Sequence, residues 1–91
     1  MDITSYRSQI DSIDNELVCL FCRRMELSAR IAEYKKANGL PIYVPAREQK
    51  ILEDVAAKAG AELAPSITEL FTLLFRLSKD YQAALIAKKG Q

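Results

Sequence analysis

The stretch CLFCRRMELSARIAEYKK, residues 19–36, carries the pattern that decides the fold. Reading outward from Arg24, apolar residues stand at Tyr6, Ile10, Ile13, Leu17, Leu20, Leu27, Ile31 and Tyr34. With Arg24 filling the place between Leu20 and Leu27, successive steps alternate between four and three. That is the stripe of a single long helix packed along one seam. A cation inside an apolar stripe costs on the order of several kcal/mol unless a partner or a ligand meets it. Arg24 therefore raises a question of function as well as of fold.

The spacing predicts a first helix from about Ile3 to about Lys36. Its stop is written in KKANGLP: two lysines in the last turn, Asn38-Gly39 as a left-handed cap, then Pro41. A loop, GLPIYV, follows. Pro45 suits a first helical position, and PAREQKILEDVAAKAG reads as a second helix of about four turns that stops at Gly60. Ile51, Leu52 and Val55 mark its inner face. AELA reads as a connector. Pro65 or Ser66 opens a third helix, with SITE (Ser66 to Glu69) as a capping box. That helix carries Ile67, Leu70, Leu74, Leu77, Tyr81 and Leu85 at steps of three and four. No strand pattern, repeat or low-complexity segment interrupts the chain. The expected fold is all-α, with a long, a short and a long helix in one domain spanning residues 1–91.

Geometry extends the expectation to assembly. A helix of 34 residues spans roughly 50 Å, whereas a compact globule of this length has a radius of gyration of about 12 Å. The first helix outreaches any cover its own chain can provide, yet its apolar seam runs the whole way. An intertwined homodimer is the simplest closed solution.

Composition removes whole classes of function. The net charge is +1, with Lys and Arg scattered among Asp and Glu, so no basic patch points to nucleic acid. There is no apolar run near 18 residues and no signal-peptide pattern in MDITSYRSQ, so the expectation is a cytoplasmic protein without membrane contact. Histidine is absent, which excludes Ser-His and Cys-His nucleophiles and the commonest metal ligand. Cys19 and Cys22 form a C-x-x-C within a helix pattern, without the strand a redox motif wants or the second ligand pair zinc wants. They read as two small residues in or near a core. Neither a cofactor nor a metal is expected.

Polar residues recur where core should be. Lys35 lies eleven residues beyond Arg24, on the same helix face and about 16 Å along the axis. Arg47 and Glu48 lie one turn before Ile51 and Leu52. Ser78 and Gln82, one turn apart, border the seam at Leu77 and Tyr81. Each has an ordinary explanation alone: an Arg24–Glu48 ion pair, charges complementing helix dipoles at Lys35 and Glu48, satisfied core polar groups at Ser78 and Gln82. Together they describe a polar pocket with excess positive charge, suited to a small ligand bearing carboxylates.

With those residues in view, the chain resembles the all-α class of chorismate mutases, which rearrange chorismate to prephenate. The resemblance rests on YRSQIDSIDNELVCLFCRR, on RRMELSARIAEYK, on the P-x-R-E entry to the second helix and on SKDYQ in the third, nearly the whole chain. It implies three helices per chain, intertwined with a second chain. It places the site at Arg7, Arg24, Lys35, Arg47, Glu48, Ser78 and Gln82, with Arg7 reaching into the partner's site. Arg7 and Arg24 lie about 25 Å apart on one helix, so an antiparallel partner is needed to bring both to one small molecule. Val44 departs from the resemblance, since an acidic residue often stands there; valine is also a poor N-cap.

The implied reaction is a unimolecular rearrangement that needs no nucleophile, proton transfer or metal. Arg7, Arg24 and Ser78 would hold the two carboxylates, Lys35 and Gln82 would donate to the ether oxygen as its bond breaks, and Glu48 would accept from the ring hydroxyl. Arg47 would shape and charge the pocket. The nearest rival is an isochorismate-pyruvate lyase of the same fold. A rival of another class is a non-catalytic helical dimer, or a regulatory module that binds prephenate-like ligands for a partner enzyme.

Overall fold

The computed structural model describes residues 2–89. Three helices account for nearly all of it: α1 (Ile3–Ala37), α2 (Pro45–Ala59) and α3 (Ala64–Lys89). The described residues contain no strand.

The ends of α1 follow local chemistry. The Asp2 carboxylate accepts from the Ser5 backbone N–H at 2.9 Å and caps the first turn. At the other end Gly39 adopts φ +65°. Leu40 N–H donates to the Lys35 carbonyl at 2.8 Å and Gly39 N–H to that of Lys36 at 3.4 Å. Those are the two bonds of a Schellman motif, which the sequence signals at Asn38-Gly39 anticipate. Val44 caps α2 without a side-chain hydrogen bond. Pro45 at the first position makes that tolerable, since its missing N–H removes one donor needing a cap.

One boundary differs from expectation. SITE is not a capping box, because Ser66 already lies inside α3. After Gly60 (φ +85°) the chain turns through residues 61–63. Ala64 N–H then donates to the Gly60 carbonyl at 2.9 Å, and Ile67 N–H to Leu63 at 2.9 Å. The turn's backbone satisfies these donors before a serine side chain is needed.

The helices form a thin layer. α3 packs against both α1 and α2, while α1 and α2 do not pack on each other. The Cα extents are 54 × 28 × 14 Å and the radius of gyration is 16.5 Å. A thickness of 14 Å is little more than one helix diameter, and domains bury a core between two layers. The accessible surface is 7159 Å², against roughly 5,300 Å² for a compact monomer of this mass.

What is buried inverts the sequence expectation. The α1 seam (Tyr6, Ile10, Ile13, Leu17, Leu20, Leu27, Ile31 and Tyr34) is exposed throughout, at 50–64%. Leu70 and Tyr81 of α3 are exposed as well. The stripe that packs inside the chain runs beside these seams: Ser28 and Ala32 on α1, and Phe75, Ser78 and Gln82 on α3. Small side chains on α1 let α3 approach closely, and hydrogen bonds satisfy the polar atoms thereby buried. Cys19 and Cys22 are free and exposed. The core placement expected for them is therefore corrected: Cys19 lies on the uncovered part of α1, and Cys22 edges an open cleft beside Leu77 and Tyr81 of α3.

Candidate active site

α1, α2 and α3 converge on a cleft of about 300 Å³ between the C-terminal half of α1, the entry to α2 and the middle of α3. Arg24, Lys35, Arg47, Glu48, Ser78 and Gln82 all line it. These six come from positions as far apart as 24 and 82, and the fold gathers them because α3 is packed by both other helices. Arg7 does not line the cleft; it lies exposed in the N-terminal half of α1.

The polar floor of the cleft is a hydrogen-bonded knot centred on Ser28. The Ser78 hydroxyl donates to Ser28 Oγ at 2.6 Å. Gln82 Nε2 donates to the Ser28 carbonyl at 2.8 Å. One amide N–H of Gln82 is thus anchored, and an amide nitrogen carries two. Ser28 was not among the residues expected from sequence. Its only signal is position, one turn after Arg24 and one before Ala32 on the face that packs α3.

Lys35 is held from outside the helix. Its Nζ donates to the Ile42 carbonyl at 3.1 Å, so the loop after α1 fixes the ammonium at the cleft edge. The Schellman end aims that loop back toward Lys35.

Arg24 does not pair with Glu48. Its guanidinium carbon lies 6.0 Å from the Phe71 ring centroid and 5.8 Å from that of Phe75. A guanidinium tolerates an aromatic neighbour better than an ammonium does, because it is planar and more weakly hydrated. The Glu48 carboxylate instead meets Lys79 Nζ at 3.2 Å. Lys79 also lines the cleft and was missed by sequence reading, where it looks like any surface lysine of a long helix. The cleft therefore carries four cations, Arg24, Lys35, Arg47 and Lys79, against one carboxylate. An excess of this kind, walled by Leu27, Ile31, Ile51 and Phe75, favours a small apolar-bodied ligand with negative charge. Among the described residues no group of three or more side chains could hold a metal ion, and no helix is long and apolar enough to cross a membrane.

Fold and cleft together define an all-α protein with a cationic small-molecule site shared by three helices. Residues 6–83 match the family described as chorismate mutase type II. The chain belongs to the type II chorismate mutase family. It is 45% identical over 60 residues to the T-protein of Enterobacter agglomerans, a match covering 66% of this chain and 16% of that protein. It is 35% identical over 78 residues to the intracellular chorismate mutase of Mycobacterium bovis, covering 86% of this chain and 70% of that protein. Its fold is similar to the structure of chorismate mutase (form II) from Thermus thermophilus, with a TM-score of 0.84 at 28% identity, over 89% of this chain and 93% of that one.

Proposed function

We propose that this chain is a chorismate mutase, rearranging chorismate to prephenate for phenylalanine and tyrosine biosynthesis, and that it works as an intertwined homodimer of single domains. The observation that carries the reading is the convergence of Arg24, Lys35, Arg47, Glu48, Ser78 and Gln82 on one cation-rich cleft in a chain of this family.

Each residue then has a physical task. Arg24, with Arg7 from the partner chain, clamps the two substrate carboxylates, and Ser78 assists. The flexible substrate is thereby held with its reacting ends together, a positioning effect worth on the order of several kcal/mol. As the C–O bond breaks, negative charge grows on the ether oxygen. Lys35, fixed by the Ile42 carbonyl, and the second N–H of Gln82, whose first is tied to Ser28, donate to that oxygen. Donors preset for developing charge contribute more to the transition state than to the ground state. Glu48 accepts from the ring hydroxyl, and Arg47 keeps that end of the pocket cationic.

The dimer reading rests on the layer geometry and on the exposed seam. The surface in excess of a compact monomer, roughly 1,800 Å² per chain by the same scaling, is large enough for an obligate interface. An antiparallel partner α1 would cover the seam and carry Arg7 to the other chain's cleft.

The test is to add chorismate to the purified protein, follow loss of its ultraviolet absorbance and identify the product. Prephenate formed at enzyme-like rates is the expected result. Pyruvate released from isochorismate, with chorismate untouched, would replace the reading by a lyase. No turnover of either would turn it into a ligand-sensing or partner-dependent module. Because Gln82 is a neutral amide, donation to the ether oxygen does not depend on holding a proton. Activity is therefore expected to persist across pH 6–8, roughly the range in which a raised-pKa carboxylic acid would lose its proton. A steep loss in that window, measured as kcat/KM against pH, would count against Gln82 in that role.

A further inference from the structure

Lys79 is the charged residue of the cleft to which neither the sequence reading nor the proposed mechanism gives a task. Its ion pair differs from the other three described. Arg30–Glu26, Lys50–Asp54 and Arg76–Asp80 each join residues one turn apart on a helix surface, with side chains 50–71% exposed. Lys79–Glu48 joins α3 to α2, at 3.2 Å, with side chains 36% and 24% exposed. On its other side the Lys79 ammonium lies 4.2 Å from the centroid of the Tyr43 ring. A flexible lysine is thus pinned between an aromatic face and a carboxylate, where cation–π and ionic attraction act together.

The placement matters for what Glu48 can select. A bare carboxylate in a partly desolvated cleft favours a cationic substituent over a neutral one. A carboxylate already paired with an ammonium does not. Lys79 engages Glu48 Oε2, while a carboxylate has acceptor positions on both oxygens. Oε1 can therefore still accept a hydrogen bond from a hydroxyl, but a second ammonium arriving there would face Lys79. A simple aliphatic amine is largely protonated near neutral pH.

We propose that Lys79 is a specificity-determining residue: its ammonium, seated between Tyr43 and Glu48, sets the cleft to take the neutral ring hydroxyl of chorismate and to reject the analogue with an amine at that ring carbon. This rests on the mutase reading above and on Glu48 facing the ring hydroxyl.

The experiment compares kcat/KM for chorismate and for its 4-amino-4-deoxy analogue in the unmodified protein, Lys79→Gln and Lys79→Arg. The unmodified protein prefers chorismate. Lys79→Gln shifts the ratio toward the amine by about tenfold or more, because the like-charge conflict is removed. Lys79→Arg restores the preference for the hydroxyl. Tyr43→Ala, which loosens Lys79 without touching its charge, shifts the ratio in the same direction by less. It also carries the test if circular dichroism finds Lys79→Gln unfolded. A purely structural role for Lys79 would lower both substrates alike and leave the ratio unchanged, which overturns the proposal while the mutase reading stands. An unmodified protein that turns over neither substrate removes the mutase reading, and this proposal with it.

Discussion

The two halves of α1 share one sequence pattern and have different fates. From Asp2 to Arg23 every residue is exposed except Ser5, which is half-buried. From Arg24 onward the helix buries Ser28 and Ala32 against α3 and contributes two cations to the cleft. Hydrophobicity does not separate the halves, since the apolar seam runs through both and is uncovered in both. What separates them is the stripe beside the seam, small and hydrogen-bonded in one half and without a neighbour in the other. The chain's own packing thus uses the polar stripe and leaves the apolar one for another surface. Ordinarily the apolar stripe is the side a helix buries.

This contrast can be broken at several points. The largest effect is expected in the packed half. Lys35→Ala removes a donor to the developing charge and should lower kcat on the order of 10³-fold, read in a chorismate turnover assay. A variant keeping most of its rate would mean that the cleft is not the reaction site. Next comes a test of whether the uncovered half belongs to another chain's site. Arg7→Ala and Arg24→Ala should each be nearly inactive alone. Unfolded together and refolded, half of the dimers would be mixed, each with one intact site, returning roughly a quarter of the normal activity. No recovery would mean that the two arginines of a site do not come from different chains.

Leu17→Glu puts a charge in the seam, away from the cleft. Burying it unpaired would cost roughly 3–5 kcal/mol, so sedimentation should find the assembly dissociated and turnover lost. An unchanged mass would show that the seam has no partner. The smallest effect is expected at Ser28→Ala. It removes the acceptor for the Ser78 hydroxyl but keeps the carbonyl that holds Gln82. Stability should fall by about 1 kcal/mol in a denaturant melt, with kcat lowered less than about tenfold. A collapse of activity would mean that the anchoring of Ser78 by Ser28 is decisive, and not only the presence of the Ser78 hydroxyl.

Much of this architecture was legible in the sequence, and the failures have physical causes. The helix stop at Asn38-Gly39 and the start at Pro45 were legible because they depend on single residues with strong backbone preferences. The start of α3 was not, because backbone groups of residues 60–63 did what Ser66 was expected to do. Six cleft residues were legible as charged or polar side chains out of place on inward faces. Ser28 was not, since a serine beside an alanine looks like helix filler until α3 arrives against it. Lys79 was invisible because its two partners come from α2 and from the loop before it. The exposure of the cysteines was not legible, because small apolar residues in a helix ordinarily mark a buried face, and here α3 reaches only the edge of Cys22.

The Lys35–Ile42 bond also bears on how such a chain can change over generations. Surface connections between helices usually accept insertions and deletions with little harm. The segment from residue 38 to 44 is fastened at three places: by Leu40 to the Lys35 carbonyl, by Ile42 to the Lys35 ammonium, and by Tyr43 under Lys79. One added residue there would shift the lysine at the cleft edge and the neighbour of Glu48 together. The length of this connector is therefore under the same constraint as the chemistry, and drift that neutral loops absorb would register here as lost turnover.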